Sequence, residues 1–387
     1  MNKVRIGLIG YGSMGSLHAK YLISDEVPSA ELVAVCDSNT ERLEQAEKNL
    51  GGGVELFDNA EKLFAAGLVE AVLITTPHYL HPQMAIQAFK HKLHVLIEKP
   101  AGVYTKQVRE MNEAAAGSGK VFAIMFNQRT RPIHQKLKDL VASGELGPIK
   151  RTNWISTAWY RTQSYYDSGS WRATWSGEGG GVLLNQCPHQ LDLWQWICGM
   201  PKRVQAFCGF GKYHDIEVED DVTAYVEYKN GATGLFVAST GEAPGTNRLE
   251  IVGDNGKVVM EEGKLTFWRT CISERKFNRE HKGGFGEPEC RKCKIPVPCN
   301  GNEHKDLTKN WVQAILDGTP LLAKGDEGIH SLELSNAMLL SSWTDNWVEL
   351  PIDDDLFYEK LQERLKTSTS KKKQGLKTSL NVSGSFK

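Results

Sequence analysis

Six short apolar runs, separated by helix-like stretches, divide the first 126 residues of this 387-residue chain. The runs cover 4–9, 32–36, 54–57, 71–74, 95–97 and 121–126, and the segments 60–66, 81–90 and 105–116 have the length and spacing of crossover helices. Short buried strands that alternate with helices are typical of a parallel sheet wound with helices. The pattern therefore predicts an α/β domain over residues 1–126.

A glycine-rich turn follows the first run and opens a helix with the spacing G-x-G-x-x-G. Such glycines permit a tight turn and let a pyrophosphate approach the backbone at the helix N-terminus. Asp37 ends the second run, where a carboxylate accepts hydrogen bonds from an adenosine ribose and repels a 2′-phosphate. The sequence thus predicts a Rossmann domain that binds NAD rather than NADP. The predicted contacts in this part are Gly10, Tyr11, Gly12, Ser13, Met14, Gly15 and Asp37.

After about residue 147 the pattern changes to longer alternating strands joined by tight turns. Hairpins are predicted over 222–239 and 247–261, a further strand over 264–269, and helices over 304–316 and 325–347. We therefore expect an α+β domain over 127–366, built on a large, mainly antiparallel open sheet that binds substrate and joins subunits. Residues 367–387 are rich in Ser, Thr and Lys and are expected to be a disordered tail.

The composition limits the classes of partner. Hydrophobic residues make up 40% of the chain and its net charge is −1, so no strong field gathers nucleic acid or anionic lipid. Neither a leader peptide nor an apolar run of about 20 residues is visible. We expect a soluble cytoplasmic protein with a small-molecule partner, no nucleic acid and no membrane contact. The open sheet face predicts a homo-oligomer, a dimer or a tetramer.

Eight cysteines are scattered without a disulfide framework, so free thiols are expected. Cys290 and Cys293 form a C-x-x-C with Cys299 nearby, which raises the alternative of a zinc site completed by His281 or Cys271. A second C-x-x-C is lacking and the flanks are basic and proline-rich. We favour a loop with free thiols and no metal.

At Glu98-Lys99-Pro100 the sequence resembles the glucose-fructose oxidoreductase, inositol dehydrogenase and MocA (Gfo/Idh/MocA) family, which has an E-K-P motif at this place. The similarity extends over about residues 3 to 350. The other stretches that carry it are Thr75-Thr76-Pro77 with His81, Phe126-Asn127-Gln128-Arg129, Trp171-Arg172, Gly179-Gly180-Gly181 and His189-Gln190-Leu191-Asp192.

The resemblance implies roles for these residues. Lys99 is expected to contact the reacting oxygen, Glu98 the nicotinamide ribose, and His189 is expected to act as acid or base. Further cofactor contacts are expected at Thr75, Thr76, Pro77, His81, Lys99 and Asn127. Substrate contacts are expected at Lys99, Arg129, Trp171, Arg172, Trp175, Asn185 and His189. The candidate catalytic residues are Lys99, His189, Asn185 and Asp192.

The chemistry of alcohol oxidation agrees with these roles, because it needs a proton acceptor and a cation beside the forming alkoxide. Lys99 follows the fifth run by two residues, at the edge where doubly wound sheets bind ligands. His189 follows Pro188 in the predicted first turn of a helix, where the dipole favours a neutral ring. Asp192 lies three residues on and is expected to orient that ring or contact a sugar hydroxyl.

One departure from the family concerns Asn185. Inositol-dehydrogenase-like members have an aspartate four residues before the histidine, and an asparagine cannot share a proton. Relatives with this asparagine are, by resemblance, among those that act on glycosides.

Aromatic residues are also dense between Trp154 and Trp196. Aromatic rings in such a cluster are expected to line the substrate pocket in part. More than half of them are expected to lie instead in the hydrophobic core or the subunit interface.

These observations favour an NAD-dependent oxidoreductase that transfers hydride from a secondary alcohol of a sugar, glycoside or cyclitol, with glucoside 3-oxidation as one option. Two alternatives remain open. A lyase-like glycosidase would use transient oxidation by tightly held NAD. A cofactor-sensing regulator would bind NAD without turnover.

Overall fold

The computed structural model describes residues 3–298 and 301–368. Its first sheet is parallel throughout, with the strand order β3-β2-β1-β4-β5-β6. The six strands are β1 (Val4–Ile9), β2 (Ala30–Cys36), β3 (Glu55–Phe57), β4 (Ala71–Ile74), β5 (His94–Ile97) and β6 (Phe122–Ile124). The order reverses beside β1, and ligands bind at the carboxyl ends of the strands next to such a reversal.

Five helices connect these strands: α1 (Ser13–Ile23), α2 (Thr40–Leu50), α3 (Ala60–Ala65), α4 (His81–Lys90) and α5 (Thr105–Ser118). Asparagine caps set two of the starts, since the side chains of Asn39 and Asn59 accept from backbone N–H groups in the first turns of α2 and α3. Every residue of β4 is buried, which is why it reads as an unbroken apolar run. The predicted Rossmann architecture is confirmed.

The second sheet has nine strands in the order β14-β13-β12-β11-β7-β10-β9-β8-β15. They are β7 (Ile149–Ser156), β8 (Arg203–Phe210), β9 (Glu219–Glu227), β10 (Thr233–Ser239), β11 (Asn247–Gly253), β12 (Gly256–Glu261), β13 (Lys264–Thr270), β14 (Cys290–Ile295) and β15 (Val348–Glu349). All pairs are antiparallel except β7 with β10. The predicted hairpins are present, and β7 lies between them.

Seven further helices complete the described chain: α6 (Pro132–Ala142), α7 (Gln163–Asp167), α8 (Pro188–Cys198), α9 (Glu274–Glu280), α10 (Glu303–Asp317), α11 (Gly328–Thr344) and α12 (Asp354–Thr367). One face of the second sheet packs on α8 and α11, where Trp194 stacks on Phe236 with ring centroids 5.4 Å apart. The other face leaves Phe207 62% exposed together with Ile155 and Leu235. No helix in the described ranges is long and apolar enough to cross a bilayer.

Late segments of the chain return to the first domain. Tyr21 in α1 hydrogen-bonds Thr308 in α10, and Ala123 beside β6 pairs with Lys324. Arg109 in α5 forms ion pairs with Glu333 and Asp354. Residues 303–354 therefore contribute contacts to both of the predicted units.

The C-x-x-C segment is a strand and not the predicted loop. Cys293 pairs with Phe267 and Cys290 with Thr270 at the edge of the second sheet. Residues three apart in a strand point to opposite faces, so these two thiols do not converge on one ion. Cys299 lies outside the described residues.

The predicted tail boundary is also corrected. Thr367 closes α12, and the Ser368 hydroxyl lies 2.7 Å from a Glu217 carboxylate oxygen. The predicted tail therefore begins at least two residues too early. Residues 369–387, on which the rest of that prediction falls, lie outside the described residues.

Two glycine-to-alanine substitutions test how tightly the turn before α8 is packed. A Cβ added at Gly181 would lie 1.9 Å from the Glu219 carbonyl oxygen, whereas one at Gly117 in α5 would meet nothing within 4 Å. We expect Gly181→Ala to destabilise the protein by about 1–3 kcal/mol through overpacking. Gly117→Ala is the control and is expected to be neutral or slightly stabilising. Thermal unfolding of both variants measures the difference, and equal melting temperatures would contradict the packing.

Candidate active site

The glycine turn is shaped by close backbone approach. Gly10 has a φ of +97°, and a Cβ on Gly15 would lie 2.0 Å from the Gly10 carbonyl oxygen. The helix that follows starts at Ser13 with no side-chain cap and no acidic residue in its first turn. Its first N–H groups are therefore available to an anion, as a dinucleotide pyrophosphate requires.

Asp37 lies beside this turn in a fixed orientation. Its carboxylate accepts from the backbone N–H of Tyr11 at 2.7 Å and of Asn39 at 2.9 Å, and Arg42 approaches to 3.4 Å. The residue is 7% exposed. The glycine turn and a held carboxylate at the end of β2 together fit the adenosine half of NAD.

The loop after β4 closes the same crevice. The Thr75 hydroxyl donates to the Gly10 carbonyl oxygen at 2.7 Å. The Thr76 hydroxyl is buried and has no hydrogen-bond partner among the described residues, and Pro77 leads into the short helical turn His78–Leu80. An unpartnered hydroxyl at this edge is a further feature that a cofactor would satisfy.

His81 is placed differently from the prediction of a cofactor contact. Its Nδ1 lies 2.8 Å from the Pro100 carbonyl oxygen and its Nε2 lies 2.7 Å from that of Thr76. Only 1% of the residue is exposed. Both ring nitrogens are engaged by the protein, so His81 joins the loop after β4 to the Lys99–Pro100 peptide, which is cis.

Glu98 belongs to a buried chain of hydrogen bonds. Its Oε1 lies 2.7 Å from Nε2 of His18, whose Nδ1 contacts the Tyr21 hydroxyl, and Tyr21 reaches Thr308. Burial opposes the charged carboxylate, but the hydrogen bond with His18 and the positive charges of His18, His304 and Lys99 together outweigh it, and the pKa of Glu98 is lowered to about 2. Glu98 is thus an ionised acceptor beside Lys99, as a contact with ribose hydroxyls requires.

Lys99 bridges the two domains. Its Nζ donates to the main-chain oxygen of Asn185 at 3.0 Å. Burial lowers the pKa of this lysine, although the negative charges of Glu98 and Glu178 act in the opposite direction. The ammonium group has three donors, and the one bond to Asn185 leaves others for a ligand oxygen.

His189 lies in the first turn of α8, directly after Pro188, as the sequence predicted. Its Nδ1 is buried without a partner among the described residues, and its ring packs against Phe126 at 6.2 Å. Burial, and then the charge of Lys99, lower its pKa well below the ordinary histidine value. The ring is therefore neutral near pH 7 and able to accept a proton.

Asp192 and Arg129 are partners of each other. Arg129 donates to both carboxylate oxygens of Asp192, at 2.8 and 2.6 Å, and also to Glu327. Each of the paired side chains is 1% exposed. This corrects two expectations, because Arg129 has no surface for substrate and Asp192 does not orient the ring of His189. Asn127, also buried, donates to Glu303.

The aromatic cluster divides between pocket and core. The Arg172 guanidinium lies over the rings of Tyr165 and Trp171, and Trp171 packs edge-on to His78. Trp175 is only 6% exposed and packs on Phe210 and Trp343, so its predicted substrate contact is replaced by a core position. The buried members of the cluster are Trp154, Tyr166, Trp175 and Trp194.

Sequence reasoning missed Glu178. Its carboxylate accepts from the Asn185 side-chain amide and from the backbone N–H of Ala173, at 2.6 Å for the latter. Arg172 lies 4.0 Å away. Burial raises the pKa of Glu178 above the ordinary glutamate value. The sequence on either side of Glu178 contains no motif or spacing that indicates its contact with Asn185.

Comparison with known proteins agrees with the geometry. Residues 4–126 match the oxidoreductase family with an NAD-binding Rossmann fold, and residues 134–259 match the GFO/IDH/MocA C-terminal domain. The D-glucoside 3-dehydrogenase of Escherichia coli (strain K12) is 31% identical over 248 residues, covering 59% of this chain and 68% of that protein. The scyllo-inositol 2-dehydrogenase (NAD(+)) of Bacillus subtilis (strain 168) is 28% identical over 268 residues, covering 66% and 73%.

Among solved structures, the WlbA dehydrogenase from Bordetella pertussis in complex with NADH and UDP-GlcNAcA has a TM-score of 0.78 and 26% identity. The alignment covers 91% of this chain and 100% of that one. The two family matches together span more than half of the chain, and the glycine turn, Asp37 and Glu98 fit the cofactor. The chain therefore belongs to the Gfo/Idh/MocA family and is an NAD-dependent oxidoreductase.

Proposed function

We propose that this protein oxidises a secondary alcohol of a sugar, glycoside or cyclitol. The observation that carries the proposal is that Lys99, a partly buried cation bound to the Asn185 main-chain oxygen where the two domains meet, lies near enough to His189 for its charge to help keep that imidazole neutral. The names of the two curated relatives support a polyol substrate.

In the proposed reaction NAD, when bound, supplies the hydride acceptor. His189 takes the hydroxyl proton at Nε2, which is not among the buried atoms, as the carbon–oxygen double bond forms. Lys99 donates a hydrogen bond to the same oxygen and stabilises its developing negative charge. The products are a ketone, the reduced cofactor and a proton on His189.

The finer proposal is oxidation at C3 of a glucoside. Asn185, in place of an aspartate, removes an ionisable group from the position four residues before His189. The likeness to the E. coli D-glucoside 3-dehydrogenase supports this choice. Incubation with aryl glucosides tests it, because NADH formation with an intact glycoside identifies a dehydrogenase, whereas release of the aglycone identifies a lyase-like glycosidase.

NAD is expected to bind at least about tenfold more tightly than NADP, a difference of about 1.4 kcal/mol, since Asp37 repels the added phosphate. Asp37→Ser is expected to reduce the difference in affinity between NAD and NADP. Fluorescence titration of both cofactors measures it, with Asp58→Ser, an exposed carboxylate of another loop, as the control. Equal or tighter binding of NADP by the wild type would refute the role of Asp37.

Lys99→Ala and His189→Ala are each expected to lower kcat by about 100-fold or more, the usual scale for an acid–base group. NAD affinity is expected to stay within about twofold in both variants. Lys138→Ala is the matched control, because the Lys138 ammonium also donates to a backbone carbonyl oxygen, that of Trp196, but outside the site. Steady-state kinetics and NAD titration supply the two readouts. Loss of NAD binding in either variant would indicate a structural role instead.

The pH profile of kcat/KM for oxidation is expected to be bell-shaped. The rate rises with pH as His189 loses its proton, at a pH below the ordinary histidine range because its pKa is lowered. It falls at alkaline pH as Lys99 loses its charge, below the ordinary lysine range for the same reason. His189→Ala should abolish the acid limb. An acid limb retained in that variant would assign the base to another group.

A further inference from the structure

Glu178 stands next to the proposed reacting groups without a part in the reaction described so far. It is 2% exposed and lies in the turn that precedes Gly179. One carboxylate oxygen accepts from the backbone N–H of Ala173 at 2.6 Å, and the other accepts from Nδ2 of Asn185. Since both contacts are donors, the pocket is built for a carboxylate, which only accepts.

This contact fixes the orientation of the Asn185 side chain. One Nδ2 hydrogen points to Glu178, and the Tyr165 hydroxyl lies 3.4 Å from the same nitrogen. The amide oxygen, Oδ1, receives no hydrogen bond from the described residues and is not among the buried atoms. Asn185 therefore presents an acceptor, and not a donor, to any ligand beside it.

Lys99 binds the same residue that carries this acceptor. The Lys99 ammonium donates to the main-chain oxygen of the same asparagine at 3.0 Å. A ligand oxygen bound to Lys99 consequently lies next to Asn185. A polyol whose reacting hydroxyl binds Lys99 would bring the hydroxyl of an adjacent carbon towards Asn185.

We propose that Glu178 is a specificity-determining positioning residue that makes Asn185 accept a hydrogen bond from the hydroxyl adjacent to the reacting carbon, so that the site selects vicinal diols. The proposal rests on the proposed oxidation of a polyol and adds a structural requirement to its substrate. Glu178 acts through Asn185 and touches neither the substrate nor the cofactor.

Glu178→Gln reverses the polarity of the pair with little change in shape. The Ala173 N–H is a fixed donor at 2.6 Å, so the glutamine oxygen must face it and the glutamine NH2 must face Asn185. Arg172, at 4.0 Å, lies beyond hydrogen-bond distance of the carboxylate and opposes this orientation only weakly. Asn185 then turns its oxygen to the glutamine and presents its NH2 to the substrate.

The test compares a polyol that the wild type oxidises with two analogues, each with fluorine in place of one hydroxyl adjacent to the reacting carbon. Fluorine accepts weakly and cannot donate, so the wild type is expected to lose about tenfold or more in kcat/KM for one of the two analogues, the one whose fluorine faces Oδ1. The quantity compared is the ratio of kcat/KM for the parent polyol to kcat/KM for that analogue. Glu178→Gln is expected to lower this ratio by about tenfold. The electronic effect of fluorine is the same in both enzymes and cancels between the ratios.

Two further variants complete the design. Glu217→Gln is the matched control, because Glu217 accepts from the backbone N–H of Trp175 in the same way, and it should keep the wild-type ratio. Asn185→Ala tests the same step without altering Glu178, and it should lower the ratio even where Glu178→Gln fails to fold. An unchanged ratio in folded Glu178→Gln, or in Asn185→Ala, would overturn the inference while polyol oxidation stands. Failure of the wild type to oxidise any sugar or cyclitol would overturn both proposals.

Discussion

The buried ion pair between Arg129 and Asp192 fixes the geometry on which the candidate site depends. Arg129 follows β6 of the first domain, and Asp192 lies in α8, the helix that carries His189. The planar guanidinium binds both carboxylate oxygens, which sets direction as well as distance. Removal of Arg129 would leave the Asp192 carboxylate without a cation, and loss of one partner from a fully buried pair costs about 3–5 kcal/mol. The pair thereby keeps the imidazole at a constant place relative to the parallel sheet.

Around this fixed frame, burial acts on three ionisable groups with different results. Glu98 remains charged because His18 donates to it, Lys99 is held by a single carbonyl oxygen, and His189 has no partner at Nδ1. Burial opposes the charged form of all three groups, so Glu98 stays an anion only through its hydrogen bond and the positive charges near it, the pKa of Lys99 is lowered, and the His189 ring stays neutral. Groups whose pKa values are pushed apart in this way are characteristic of sites that move protons.

Much of the fold could be predicted because buried parallel strands are continuous apolar runs and hairpins carry their own turn residues. The edge strand β14 could not, since half of its residues are basic and its residues are largely exposed. The Arg129–Asp192 pair lies in two segments with no local relation to each other. The Glu178–Asn185 contact depends on the π-helical turn Val182–Gln186, in which Cys187 N–H bonds Val182, and no sequence spacing indicates that turn.

The place of β7 in the second sheet sets an order of folding during synthesis. Strand β7 pairs with β10 in parallel and with β11 in antiparallel orientation, so its first partner strand is complete only when Ser239 has left the ribosome and its second only when Gly253 has. The first domain waits still longer, because Thr308 and Lys324 complete contacts with Tyr21 and Ala123. Such distant pairings slow folding and leave unpaired strand edges exposed in the nascent chain. The cofactor domain is thus the first to be translated and among the last to be finished.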